Sequence, residues 1–225
     1  MNRQGVAVQA LSLTAPMVYW ADGATRRAPL APPGTTRASA AHVAHPDRFV
    51  GCATLPHAGS GRAPSPSSSA RRKLPGIRGV YMGTNVGGRE LSDPAFFPVF
   101  ERAAALGCPV LLHPLNVIGA ERLAPYYLNN FLGNPFDTAI AAAHLVFGGV
   151  LDRLPKLRGV PAARGRRAAL SARTPRVTGR GCGRRRTGVA KKPFSAYLRR
   201  FTYDIISHDA PRRSAISSPR WARIG

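Results

Sequence analysis

The 225-residue sequence has few acidic residues, few cysteines and no long apolar run. Its three cysteines, Cys52, Cys108 and Cys182, are too few and too scattered to predict a disulfide framework or a zinc knuckle. No stretch is long and apolar enough to predict a membrane span, and residues 1–9 do not resemble a signal peptide. We therefore expect a cytoplasmic location, no membrane partner, and Cys52 and Cys108 as small buried residues of a reduced protein.

The shortage of acidic residues is concentrated in four segments. The chain has 10 Asp and Glu against 33 Lys and Arg, a formal net charge of +23. Residues 23–45, 57–73, 158–192 and 210–225 hold 23 of those Lys and Arg and no acidic residue, so the rest of the chain is balanced. These segments are rich in Pro, Ser, Gly and Arg and show no sustained helical or strand period, which predicts irregular, disordered structure. The predicted ordered parts of this single fragmentary domain are 1–22, 46–56, 74–157 and 193–209.

Three explanations compete for the basic segments. They are arms that bind a nucleic-acid backbone, solvated loops without a role, or out-of-frame translation of GC-rich coding sequence. Shifting the degenerate codons of residues 159–170 by one base permits Val-Cys-Leu-Pro-His-Ala-Gly-Gly-Ala-Leu-Pro, a strand followed by a histidine and a glycine-rich turn. Similar shifts in the other three segments permit short phrases such as Leu-Arg-Tyr-Leu and Val-Gly-Ala-Asp-Arg, and all four resemble the text expected of the enzyme family that residues 74–157 resemble. We favour the third hypothesis, although any expressed chain with this charge is expected to bind polyanions nonspecifically.

The most informative stretch is residues 109–119, Pro-Val-Leu-Leu-His-Pro-Leu-Asn-Val-Ile-Gly. An apolar run of strand length that ends in His113 is typical of a buried parallel strand delivering a side chain to the carboxyl edge of a sheet. Residues 93–107 before it have helical spacing, and 74–82 read as another strand. Further strands are predicted at 6–13 and 49–55, and further helices at 121–132 and 136–147. Repeated strand and helix predict an α/β fold with a parallel sheet.

Residues 74–157 resemble a known family. The phrases GVYMGTNVGGRELSDPAFFPVFERAAALGCPVLLHPLNVIG and YYLNNFLGNPFDTAIAAAHLVFGGVLDRLPKL are similar to the middle of amidohydrolase-superfamily enzymes, in the branch of aminocarboxymuconate-semialdehyde decarboxylase. The resemblance implies an incomplete (β/α)8 TIM-like barrel, a divalent metal cofactor such as zinc, a small carboxylated, aromatic-derived substrate and a homodimer. Whether the reaction is decarboxylation or hydrolysis stays open.

The same resemblance implies one metal ligand, His113, which matches the histidine after the family's fifth strand. The family also uses a His-x-His pair, a further histidine and an aspartate that have no counterpart in this sequence. Because one imidazole cannot hold a catalytic zinc ion, we expect the chain to be inactive as encoded.

Other polar residues near the predicted strand ends are candidates for the site. Asn85, Asn116 and His208 lie at such ends and are candidates for substrate contact. His144, His42 and His45 are expected to be structural, and 83–88 lack the Lys and Ser or Thr of a phosphate loop. Two functional hypotheses result: a metal-dependent decarboxylase or hydrolase, and, as the alternative, a basic nucleic-acid-binding protein that uses its Arg-rich arms.

Overall fold

Five parallel strands form the main sheet in the described part of the chain. The computed structural model describes residues 1–13 except 2 and 4, 33–54, 74–161 except 115, and 189–202. The strands, in both chain order and spatial order, are β1 (Gln9–Leu11), β2 (Phe49–Thr54), β3 (Ile77–Gly83), β6 (Val110–His113) and β7 (Gly159–Pro161). Every neighbouring pair is parallel. Two short strands, β4 (Asn85–Val86) and β5 (Arg89–Glu90), form a separate antiparallel hairpin.

The described residues form five α-helices. They are α1 (Pro33–Ala44), α2 (Phe97–Ala105), α3 (Asn134–Phe147), α4 (Val150–Arg153) and α5 (Phe194–Tyr197). Helix α1 lies between β1 and β2, α2 between β3 and β6, and α3 and α4 between β6 and β7. Spatial order that follows chain order, with helical crossovers, is the topology of one arc of a (β/α) barrel. The predicted α/β fold and the predicted strands at 49–55, 74–82 and 109–113 are confirmed.

The core lies between the sheet and helices α2 and α3. Met82 and Leu112 alternate with residues of the opposite sheet face and are completely buried. They join Phe100, Leu145 and Val146 in one apolar cluster. Alternation along a strand sends the next residues to the other face, where Tyr81 packs with Cys52 and Leu111. The sheet thus separates an apolar helical layer from a face that carries polar side chains.

The segment 23–45 was predicted to be irregular, and this is wrong for its second half. Helix α1 covers Pro33–Ala44. It packs on β2 through small residues, Thr35, Ala38 and Ser39, which are all buried. Ser39 also donates a hydrogen bond to the Pro75 carbonyl at 2.9 Å. Because alanine and serine form this contact, the helix has no stripe of large apolar residues for a sequence pattern to detect.

The helix predicted at 121–132 is also absent. The structure has a 3-10 turn at Pro125–Tyr127 and a π-helical turn at Asn129–Gly133. Pro125 lacks an amide hydrogen, and Tyr126 and Tyr127 have left-handed φ angles of 57° and 61°. An α-helix cannot continue through such residues.

The third basic segment, 158–192, also contains regular structure that the sequence did not predict. Strand β7 lies inside this segment. Its pairing with β6 starts at Arg158, whose carbonyl accepts a hydrogen bond from the Val110 amide at 2.9 Å. Three residues are too few for a strand period to be visible. The described part of the chain contains no helix long and apolar enough to cross a membrane.

Gly51 permits the close approach of α1 to the sheet. A Cβ atom at this position would lie 2.6 Å from Ile77 Cδ1 and 2.9 Å from Ala38 Cβ. We expect Gly51→Val to lower the free energy of unfolding by about 1–3 kcal/mol through overpacking, with Gly51→Ala less severe. Urea denaturation measures the change. The control is Val43→Ala on the exposed side of α1, which is expected to change stability by less than about 0.5 kcal/mol. Equal stability of Gly51→Val and the control would contradict the prediction.

Candidate functional site

The candidate site lies at the carboxyl edge of the sheet, around His113. His113 is the last residue of β6 and is paired in register with Gly83, the last residue of β3. Its side chain is half-buried on the sheet face of Tyr81, and the two rings have centroids 5.7 Å apart. The backbone amide of Thr84, just after β3, donates to the His113 carbonyl at 3.3 Å. The position predicted for His113 from its strand pattern is therefore observed, while its role as a metal ligand stays a prediction.

The two asparagines predicted to contact substrate are brought together at this edge. Asn85 Nδ2 donates to the Asn116 carbonyl oxygen at 2.9 Å and lies 3.4 Å from Asp137 Oδ2. Asn85 is only 8% exposed, whereas Asn116 is exposed. The amide hydrogens of Asn85 thus link two loops of the protein, and Asn116 has the more accessible side chain. His208, the third candidate, lies outside the described residues.

Sequence reasoning missed Asp137, which completes this edge. It lies in the first turn of α3, is 5% exposed, and accepts hydrogen bonds from Thr84 Oγ1 and from the Ile118 backbone amide. Burial raises the pKa of Asp137, and the hydrogen bonds from Thr84, Asn85 and Ile118 partly offset that rise. An acidic residue in a first helical turn is common as a partner of the helix dipole, so its position alone gave no signal.

The raised pKa of Asp137 has a testable consequence for stability. Because folding favours the protonated carboxyl, this group's contribution is fully present below its unfolded pKa of about 3.9 and is lost as the pH rises through the folded value. We expect the stability advantage of the wild type over Asp137→Asn to be larger near pH 4 than at pH 7. Urea denaturation of both proteins across this range measures it. An advantage that grows from pH 4 to pH 7 would contradict the prediction.

The described residues do not fit a catalytic metal ion. Among them, no three His, Cys, Asp or Glu side chains are grouped so that they could hold one. The other described histidines have different contacts. His42 Nδ1 lies 2.7 Å from the Phe49 carbonyl oxygen, and His144 Nδ1 lies 3.0 Å from Ser92 Oγ. One imidazole at the edge is therefore fewer than the three protein ligands that a catalytic zinc site uses.

Cys52 lies on the same sheet face as Tyr81, in surroundings that disfavour its thiolate form. It is 6% exposed, and burial raises its pKa to about 11, with the nearby Cys108 adding to the rise. A thiol that stays protonated at neutral pH is a poor nucleophile and a poor metal ligand. The prediction that Cys52 is a small buried residue is confirmed, and Cys108 is also a free, partly buried thiol.

A parallel strand-and-helix arc with polar residues gathered at its carboxyl edge defines the class of α/β-barrel proteins whose sites are built from the loops after the strands. Within that class, the chain belongs to the amidohydrolase family, since residues 1–203 match its family model.

Relatives within the family include decarboxylases. The chain is 34% identical over 165 residues to 2-amino-3-carboxymuconate-6-semialdehyde decarboxylase of Dictyostelium discoideum, a match that covers 70% of this chain and 44% of that protein. The chain therefore spans less than half the length of this curated relative.

Solved structures extend the comparison to the fold. The 5-carboxyvanillate decarboxylase of Sphingomonas paucimobilis superposes with a TM-score of 0.74 and 27% identity, covering 90% of this chain and 62% of that one. The 2,6-dihydroxybenzoate decarboxylase of Rhizobium superposes with a TM-score of 0.72 and 21% identity, covering 90% and 66%. The 5-carboxyvanillate decarboxylase of Novosphingobium aromaticivorans, solved with manganese, gives a TM-score of 0.69 at 23% identity and covers 88% and 58%. The predicted incomplete barrel is confirmed by this agreement.

Proposed function

We propose that this chain carries the substrate-facing edge of a decarboxylase that acts on a small carboxylated, aromatic-derived acid. The observation that carries the proposal is the position of His113 at the end of β6, beside the Tyr81 ring. An imidazole N–H can donate to a carboxylate oxygen, and an aromatic ring beside it offers an apolar surface to a planar substrate. The 34% identity to a decarboxylase supports the same reaction class over hydrolysis.

Only the family relationship, and no group of ligands among the described residues, supports a divalent metal in this proposal. The described residues supply one imidazole at this edge, so we propose that the chain as encoded binds the acid but does not turn it over. The choice of zinc over manganese and a homodimer are further parts of the proposal that are carried by the family resemblance alone, and a cytoplasmic location is proposed with them.

Calorimetric titration with 2,6-dihydroxybenzoate and 5-carboxyvanillate tests the acid-binding edge. Salt at about 0.3 M screens nonspecific attraction of these anions to a chain of charge +23. We expect His113→Ala to weaken binding at least about tenfold, because one charge-assisted hydrogen bond is removed. The matched control is His45→Ala, which removes an exposed histidine before β2 and is expected to bind as the wild type does. Absent binding, or equal binding by both variants, would overturn the proposed site.

Release of carbon dioxide tests the second half of the proposal. The purified chain is incubated with the same acids, and with 2-amino-3-carboxymuconate-6-semialdehyde, in the presence of Mn²⁺ or Zn²⁺. We expect no release above that of His113→Ala. Metal-dependent release that His113→Ala abolishes would show that the chain is active and that ligands beyond the described residues complete the site.

We also propose that the four basic segments arise from shifts of the reading frame. Resequencing the gene across the codons for Gly23, His57, Arg158 and Ala210 tests this proposal. We expect the corrected reading frames to encode acidic residues and helical patterns in place of the Arg-rich segments. An unchanged gene sequence would refute the proposal and leave the basic segments as real features of the protein.

A further inference from the structure

Residues from two loops at the carboxyl edge donate hydrogen bonds to one carboxylate, that of Asp137. Thr84 and Asn85 follow β3, and Asn116 and Ile118 follow β6. Asp137 Oδ2 accepts from the Thr84 hydroxyl and lies 3.4 Å from Asn85 Nδ2, and the carboxylate also accepts from the Ile118 amide. Thr84 and Asn85 lie 53 and 52 residues before Asp137, and Ile118 lies in the segment between β6 and α3. Asp137 therefore joins three elements that the strand pairing alone does not join.

Thr84 connects this carboxylate to His113. Its backbone amide donates to the His113 carbonyl at 3.3 Å, while its hydroxyl donates to Asp137. Thr84 is 1% exposed, so the hydroxyl has no access to water as an alternative partner. The position of His113 relative to the neighbouring loop is thus fixed by a chain of contacts that ends on the carboxylate.

Burying the Asp137 carboxylate costs free energy unless hydrogen-bond donors satisfy its oxygens. Asp137 is 5% exposed, and a buried carboxylate is tolerated only when donors satisfy it. Removing the carboxylate would leave the Asn85 amide, itself 8% exposed, and the Ile118 amide without that acceptor. Leaving a buried donor unpaired costs more than the bond itself contributes. Separation of the two loops, which lets water reach these donors, is the response of the protein that costs least.

We propose that Asp137 is a positioning residue, which holds the loops after β3 and β6 in one arrangement around His113. It acts through Thr84 and Asn85 and is not assigned any contact with substrate. The inference rests on the proposed function only in the claim that this arrangement serves acid binding. The contact between loops is tested independently of any ligand.

Amide hydrogen exchange, followed by NMR on the full chain, provides that independent test. The variants are Asp137→Asn, which replaces one of the two acceptor oxygens by an NH₂ donor, Thr84→Val, which removes the hydroxyl, and Thr84→Ser, which keeps it. The control is Thr138→Val, at a buried threonine whose hydroxyl donates at 2.8 Å to Asn134 within α3. We expect Asp137→Asn and Thr84→Val to speed exchange of the Thr84 and Ile118 amides at least about tenfold relative to the Val146 amide. Thr84→Ser and Thr138→Val are expected to stay within about threefold of the wild type.

Two exchange results would overturn the proposal. One is a uniform increase at Thr84, Ile118 and Val146, which would mean that Asp137 only contributes global stability. The other is that the amides of residues 84 and 118 exchange in Thr84→Val as slowly as they do in the wild type. Titration with 2,6-dihydroxybenzoate then separates the two claims. If the wild type binds no acid, the proposed function fails while the exchange pattern still decides the role of Asp137. If the wild type binds and Asp137→Asn binds as tightly as Thr138→Val, the positioning role is wrong.

Discussion

Replacing Arg200 by alanine is expected to lower the free energy of unfolding by about 2–4 kcal/mol, because hydrogen bonds to a charged donor contribute about 1.5–3 kcal/mol each and add incompletely. Its guanidinium donates to the Leu151 carbonyl at 2.6 Å and to the Leu154 and Pro155 carbonyls at 2.9 Å each. These carbonyls lie in and just after α4, where a helix leaves acceptors unpaired and where positive charge is favourable. Guanidinium denaturation of the full chain measures the change.

Two other variants make the Arg200 prediction specific. Arg199→Ala removes the neighbouring, exposed arginine and is expected to change stability by less than about 0.5 kcal/mol. Arg200→Lys keeps the charge but has no planar fork with which to reach several carbonyls at once, so an intermediate decrease in stability is expected. If Arg200→Ala is as stable as Arg199→Ala, the guanidinium contacts do not hold α5 and its flanking residues to the rest of the protein.

The contacts of Tyr197 show why the packing of α5 against α4 could be predicted only in part from the sequence. The Tyr197 hydroxyl donates to Asp152 at 2.7 Å and accepts from the Lys191 and Lys192 amides at 3.1 Å each. Residues 193–209 were predicted to be ordered, and helix α5 lies within them. The Asp152 partner lies 45 residues before Tyr197, and the two lysine amides lie outside the helix. No period in the sequence reports such pairs, so they become visible only once the elements are folded together.

The strands and the site also show that sequence patterns predict continuous apolar elements but not contacts between separate elements. Strands β2, β3 and β6 were predictable because buried parallel strands are continuous apolar runs, and His113 was predictable because it ends one of them. Helix α1 was not predictable, since its contact with the sheet uses small residues. Asp137 was not predictable either, because its three donors come from loops whose distance from α3 is set by the sheet.

The remaining large prediction concerns the net charge of +23. Because 23 of the 33 Lys and Arg lie in four segments without an acidic residue, the full chain is expected to bind duplex DNA of any sequence. A protein that neutralises roughly 6–10 phosphates binds about 10³–10⁵-fold more weakly at 200 mM than at 50 mM salt, because released counterions drive the binding. Fluorescence anisotropy with two unrelated duplexes at several salt concentrations measures both the affinity and its slope.

A local variant decides whether this binding is more than charge attraction. Replacing Arg184, Arg185 and Arg186 together by Gln is expected to reduce the salt slope by at most about three, one for each phosphate that is no longer neutralised, and to affect both duplexes equally. The control is Lys156→Gln, a single exposed charge outside the four segments, for which a reduction of at most about one is expected. Binding that favours one duplex and persists at 200 mM salt would contradict nonspecific attraction. It would instead support the alternative of a nucleic-acid-binding protein, because counterion release alone cannot distinguish base sequences.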